Sequence, residues 1–112
     1  MQPDEFRRIA LSLPEASEGA HMGHADFRVG GKIFATLGYP DDRHGMVVLP
    51  LDEQAKLVQE APTAFAPAAG AWGRRGSTIV SLEIIKPAVL HRAIVTAWRK
   101  RAPKRLHSTY DS

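Results

Sequence analysis

Apolar residues recur at helical spacing in three segments of the chain, residues 3–13, 51–61 and 87–101. A proline follows each segment within two residues, which is typical of a helix end. The third segment has the most complete apolar stripe, made of Val89, Leu90, Ala93, Ile94, Ala97 and Trp98. The pattern therefore predicts three amphipathic helices that each bury one side.

Residues 25–29 and 32–37 are rich in aromatic and β-branched residues and predict a β-hairpin around Gly30-Gly31. Glycine reaches positive φ at little steric cost, so a two-residue turn is available there. This turn predicts the cross-strand pairs Val29–Lys32, Arg28–Ile33 and Phe27–Phe34. A third strand is predicted over residues 45–49.

A second hairpin is predicted from residues 71–73 and 78–82, which flank the turn Arg74-Arg75-Gly76-Ser77. Residues 65–70 are rich in proline and alanine and are predicted to form an extended edge strand or a loop. Residues 15–24 have the weakest periodicity and are compatible with a short strand before the first hairpin.

The predicted element order is α-βββ-α-ββ-α. Hairpin connections favour an antiparallel sheet with helices on one face, which is a two-layer α+β fold. A length of 112 residues suits one domain. We expect this domain to cover residues 1–105 and to be followed by a C-terminal tail over 106–112.

Composition and charge narrow the possible functions. The absence of cysteine excludes disulfides and thiolate chemistry. No apolar run approaches the ~20 residues that span a bilayer, and no signal-peptide pattern is present, so we expect a cytoplasmic protein without a membrane partner. The net charge of +3 is uneven, since residues 84–112 carry +6 and the preceding 83 residues carry −3. Such a basic end attracts polyanions.

Basic residues are the main candidates for a nucleic-acid interface. Arg74 and Arg75 occupy the tip of the predicted second hairpin, where guanidinium groups can pair with phosphate or guanine edges. The other candidates are Arg28 and Lys32 beside the first turn, and Arg92 and Arg99 on the basic C-terminal helix. A solvated charged surface is the alternative interpretation for these residues, except that the stem of Arg28 would cover apolar surface next to its predicted partner Ile33.

Histidines are the other candidate chemistry. His21, His24 and His44 raise the possibility of a metal site, but residues three apart on one strand point to opposite faces, and no acidic ligand pattern accompanies them. A small-ligand or acid–base site would require His21 and His24 to converge with an acid in a pocket. No phosphate-binding loop, dinucleotide fingerprint or nucleophile elbow is present. We therefore expect a non-enzymatic protein without catalytic residues, metal or cofactor.

The chain resembles the MmcQ/YjbR family of small bacterial proteins over nearly its whole length. The resemblance rests on Leu13-Pro14, on residues 27–35 (Phe-Arg-Val-x-Gly-Lys-Ile-Phe-Ala), on residues 70–76 (Gly-Ala-Trp-Gly-Arg-Arg-Gly) and on Ala97-Trp98. It implies an α+β fold with an antiparallel sheet and two hairpins described as a double wing, similar to wing-type DNA-binding domains and to secretion chaperones.

Beside the small-ligand or acid–base site at His21 and His24, two functions remain open from the sequence. The first is DNA binding through the hairpin residues and the basic C-terminal helix. The second is a chaperone-like module that binds a protein or peptide on an exposed sheet face. In either case we expect a monomer.

Overall fold

The computed structural model describes residues 1–110. Its helices are α1 Pro3–Leu11, α2 Leu51–Glu60, α3 Gly70–Arg74, α4 Pro87–Arg101 and α5 Lys104–His107. Its strands are β1 Ser17–His21, β2 His24–Val29, β3 Lys32–Leu37, β4 His44–Val48, β5 Phe65–Pro67 and β6 Ser77–Ser81. The strands form one sheet in the order β1-β2-β3-β4-β6-β5, and every neighbouring pair is antiparallel.

Helices α1 and α4 pack against each other and cover one face of the sheet. Phe6 of α1 packs directly on β4, because a Cβ on Gly45 would lie 2.7 Å from its ring. Trp98 of α4 is fully buried, and its indole Nε1 donates a 3.0 Å hydrogen bond to the carbonyl of Pro14. The α+β prediction and the three helices are therefore confirmed, but α2 buries Gln54 and Leu57 and leaves Leu51 of its predicted apolar stripe exposed.

The first hairpin, made of β2 and β3, forms where it is predicted. It contains a β-bulge after the Arg28–Ile33 pair. Val29 pairs with Lys32 and Arg28 pairs with Ile33, as expected, but Phe27 pairs with Ala35 and not with Phe34. The register shifts between Phe27 and Arg28, which leaves Phe34 without a partner in the ladder. The predicted Phe27–Phe34 pair is wrong because the bulge puts one extra residue, Phe34, into β3 opposite the step from Phe27 to Arg28.

The predicted second hairpin is wrong in its first strand and in its turn. Residues 70–74 form the short helix α3, and the strand that pairs with β6 is β5, at residues 65–67. Helix α3 folds back closely on the chain, and a Cβ on Gly73 would collide with the carbonyl oxygen of Ala68. Arg74 therefore ends a helix and Arg75 caps it, so neither lies at a hairpin tip.

The segment after α4 packs against the domain. Leu106 is 4% exposed, and the ring of Tyr110 lies 6.1 Å from that of Trp98. Of the tail predicted over residues 106–112, positions 111 and 112 lie outside the described residues. Among the helices of residues 1–110, none has both the length and the apolar composition to cross a membrane.

Candidate functional site

Two of the predicted basic segments lie at the same end of the sheet. Strand β4 pairs with β3 on one side and with β6 on the other. The amide of Leu49 donates a 2.9 Å hydrogen bond to the carbonyl of Gly76, which fixes the start of β6 beside the end of β4. Strand β3 runs antiparallel to β4, so its first residue, Lys32, lies at this end as well. Because only β4 separates β3 from β6, these two strands lie roughly 10 Å apart.

The C-terminal basic segment meets the same end. A Cβ on Gly30 would lie 3.1 Å from Cδ of Pro103, so the β2–β3 turn packs directly against the corner between α4 and α5. This corner carries Lys100, Arg101 and Lys104. We call the group formed by Lys32, Arg74, Arg75, Lys100, Arg101 and Lys104 the basic end. Among residues 1–110, none of these six side chains is within 4.0 Å of a carboxylate oxygen.

Other candidate cations lie elsewhere or are already paired. Arg28 donates hydrogen bonds of 2.8 and 3.0 Å to the carboxylate of Asp26, which makes it part of an ion pair on the sheet. Arg92 is exposed on α4, nine residues before Arg101, which corresponds to roughly 13 Å along the helix axis. Arg99 is half-buried, and its Nη2 lies 3.5 Å from the carbonyl oxygen of Tyr110.

Acidic residues also approach the basic end. Asp52 and Glu53 occupy the first turn of α2, which begins directly after β4. Gln54 of the same turn donates a 2.9 Å hydrogen bond to the carbonyl of Gly73, so this helix packs against α3. Arg105 forms a bidentate pair with Glu15, which lowers the pKa of that carboxyl through the hydrogen bonds from the guanidinium. The basic end is therefore a moderately positive surface.

A pocket of about 360 Å³ lies on the sheet face that α1 and α4 leave open. Thr36 and Met46 pair across β3 and β4 and form part of its lining. The β1–β2 turn contributes two histidines, and Tyr39 and Trp72 complete its aromatic lining. Trp72 is 72% exposed, in contrast to the fully buried Trp98. The pocket therefore combines apolar, aromatic and imidazole groups.

His21 and His24 are brought together by a tight turn. They are cross-strand partners at the ends of β1 and β2, and only Met22 and Gly23 separate them. The ring centroids lie 6.4 Å apart. The expectation that the two side chains point to opposite faces is wrong, because the chain reverses between them and cross-strand partners share a face.

A buried carboxylate lies behind the histidines. Asp26 has no exposed surface, and its Oδ2 lies 2.7 Å from Nδ1 of His21. Hydrogen bonds from Arg28 hold the pKa of Asp26 below its ordinary value, burial opposes this shift, and the bond with His21 adds to it. Within residues 1–110, no three His, Cys, Asp or Glu side chains are arranged to hold a metal ion. The arrangement is a histidine oriented by an ionised carboxylate at the wall of a pocket.

From the sequence, Asp26 is one of three acids, with Glu15 and Glu18, that are candidates to surround the histidines, and the pocket is missed. Signals for the role of Asp26 and for the pocket are nevertheless present. His24, Asp26 and Arg28 alternate with the apolar Ala25 and Phe27, which predicts one polar and one apolar strand face. The dipeptide Met22-Gly23 between two histidines is compatible with a two-residue turn. Together these patterns predict that the two histidines and the acid share a face.

Comparisons with known proteins agree with this architecture. The chain is similar to the crystal structure of Deinococcus radiodurans protein DR2400, which contains a DUF419 domain, with a TM-score of 0.77 and 17% sequence identity. The similarity covers 96% of this chain and 86% of that one. At this level of identity, the match shows a shared fold. No curated protein matches the chain.

A family model gives the identification. The model described as YjbR matches residues 11–100, a range that runs from the end of α1 to the last turn of α4 and includes the whole sheet, the pocket and most of the basic end. The chain therefore belongs to the YjbR family.

Proposed function

We propose that this protein is a non-enzymatic DNA-binding protein that contacts the phosphate backbone through the basic end. The observation that carries the proposal is the packing of the β2–β3 turn against Pro103. A Cβ added to Gly30 would lie only 3.1 Å from Cδ of that proline. This contact joins Lys32 to a basic segment about 70 residues later in the chain, in line with the +6 charge of residues 84–112. This function also requires the cytoplasmic location predicted from the sequence.

The arrangement of the cations favours contacts with the DNA phosphate backbone over direct recognition of base edges. The six cations come from a turn, a helix end and a helix corner and do not form one row along a single helix, which is the arrangement that reads a major groove. Lysine and arginine that contact phosphates release counterions, which makes affinity depend steeply on salt. For about four phosphates contacted, log K against log salt should have a slope of roughly −3.6, so affinity falls about 150-fold between about 50 and 200 mM salt.

The experiment is a fluorescence anisotropy titration of a labelled DNA duplex at several salt concentrations. The double variant Lys32→Ala/Arg75→Ala should bind more weakly and reduce the slope by about 2. The matched control is Arg43→Ala/Lys86→Ala, which also removes two positive charges. Arg43 precedes His44 and Lys86 follows β6, so both lie towards the opposite end of the sheet, where His44 pairs with Ser81.

Two results would overturn the proposal. One is no binding by the wild type at low salt. The other is an equal loss of affinity in both double variants, which would show that net charge and not the basic end attracts DNA.

The peptide-binding alternative predicted from the sequence depends on an apolar sheet face without a coherent positive surface. The open face has an apolar pocket, but next to it lie the charged groups of Asp26 and Arg28. The gathering of unpaired cations at the basic end favours the DNA interpretation.

A further inference from the structure

The pocket on the open sheet face adjoins the basic end through α3, which places Trp72 in the pocket and Arg74 at the basic end, but their other residues differ. It is bordered by the β1–β2 turn, whereas the basic end includes the β2–β3 turn at the other end of β2. Nothing in the proposed DNA contact uses His21, Thr36 or Met46. A different ligand can therefore occupy the pocket.

The hydrogen-bonding state of His21 follows from its neighbours. Both oxygens of Asp26 accept hydrogen bonds from Arg28, at 2.8 and 3.0 Å, so the carboxylate is ionised and can only accept. Nδ1 of His21, 2.7 Å from Oδ2, must then carry the proton and donate. The neutral imidazole consequently has its lone pair on Nε2. Within residues 1–110, Nε2 has no hydrogen-bond partner.

The lining determines the kind of molecule that fits. Trp72, Tyr39 and His24 present ring surfaces, and the ring of Tyr39 meets that of His24 edge-on at 5.8 Å. Met46 adds a polarisable thioether, which makes favourable contacts with aromatic rings. A volume of about 360 Å³ is near the lower limit for ligand pockets, so the occupant is a single small ring system.

We propose that this pocket binds a small aromatic molecule bearing one hydroxyl or ring N–H group, which donates a hydrogen bond to Nε2 of His21. Aromatic contacts with Trp72 and Met46 supply most of the attraction, and the hydrogen bond supplies selectivity. Asp26 acts as a positioning residue, because it holds the imidazole in the accepting tautomer.

The first test needs no variant. The full-length ¹⁵N-labelled protein is titrated with phenol and, separately, with anisole, which has the same ring but no O–H donor. Phenol should shift the amide resonances of residues 21–24 and the indole resonance of Trp72 saturably at millimolar concentration. Anisole should bind roughly five- to tenfold more weakly, because one hydrogen bond is lost. Equal binding of the two probes, or no saturable binding of phenol, overturns the proposal.

The second test compares matched histidine variants. His21→Phe keeps a ring in the pocket and leaves Asp26 both of its bonds from Arg28, so phenol should bind no better than anisole. His44→Phe is the control, because His44 also pairs with an aspartate, at 2.7 Å from Asp41, but lies outside this pocket. Phenol selectivity should persist in the control. Its persistence in His21→Phe, or its loss in His44→Phe, would contradict the assignment of the acceptor.

Discussion

Replacing Asp26 by asparagine tests how strongly the buried ion pair stabilises the open sheet face. Asparagine keeps the shape of the side chain but removes its charge and turns one acceptor oxygen into an NH₂ donor. Whichever oxygen it replaces, that donor faces a guanidinium nitrogen of Arg28, because Nε lies 2.8 Å from Oδ1 and Nη2 lies 3.0 Å from Oδ2. At least one hydrogen bond is therefore lost and one repulsive contact is created.

The magnitude follows from the exposure of the partners. Removing one member of a fully buried pair costs about 3–5 kcal/mol. The side chains of Arg28 and His21 are 40% and 39% exposed, so both can recover water when the carboxylate is lost. We therefore expect the free energy of unfolding to fall by about 1–3 kcal/mol.

Urea denaturation at neutral pH measures this change. The control is Asp41→Asn, which removes an exposed bond with His44 and should lower the free energy of unfolding less than Asp26→Asn does. The pKa of Asp26 is lower in the folded protein than its ordinary value of 3.8. The ionised Asp26 therefore contributes its full stabilisation above pH 3.8, its ordinary pKa. This stabilisation is lost as the pH falls from 3.8 towards the pKa of Asp26 in the folded protein. The difference between wild type and Asp26→Asn should shrink below about pH 4. Equal stability of the two proteins at neutral pH would refute the reasoning.

Two further stability predictions concern the connection between β4, α2 and α3. Gly76 and Gly31 both have positive φ, but only at Gly76 would a Cβ collide with the carbonyl of Leu49. Gly76→Ala should therefore destabilise by more than about 3 kcal/mol and Gly31→Ala by about 1 kcal/mol, and equal effects in urea denaturation would contradict this. Gln54→Leu removes the buried amide that donates at 2.9 Å to Gly73, and should cost about 1–3 kcal/mol, whereas a fully stable variant would show that the amide is dispensable.

The sequence predicts most of the elements because their patterns are local. The stripe of α4 repeats over four turns, and the turn at Gly30-Gly31 fixes the first two pairs of the hairpin. The bulge opposite Phe27 carries no such local signal, and both Phe27 and Phe34 are fully buried at it. A strand pattern alone therefore places Phe34 wrongly.

The helix α3 could not be predicted for a similar reason. Five residues are too few to show helical periodicity, and the aromatic Trp72 favours a strand interpretation. Its geometry depends on contacts of Gly73 with Ala68 and with the amide of Gln54, which come from other segments.

The basic end is predictable only in part. Charge counting identifies the C-terminal segment, but its contact with the β2–β3 turn depends on the direction in which α4 crosses the sheet. The predicted hairpin also makes Arg28 a candidate, but the structure pairs it with Asp26. Charges along the sequence therefore indicate a polyanion partner, whereas only the fold indicates which cations can meet it.

Chemical-shift mapping with a DNA duplex tests the central claim most directly. At low salt, the account predicts that amide shifts concentrate in residues 30–32, 74–76 and 99–104 and disappear as salt is raised. Shifts confined to the β1–β2 turn and the pocket, or no shifts at all, would contradict it.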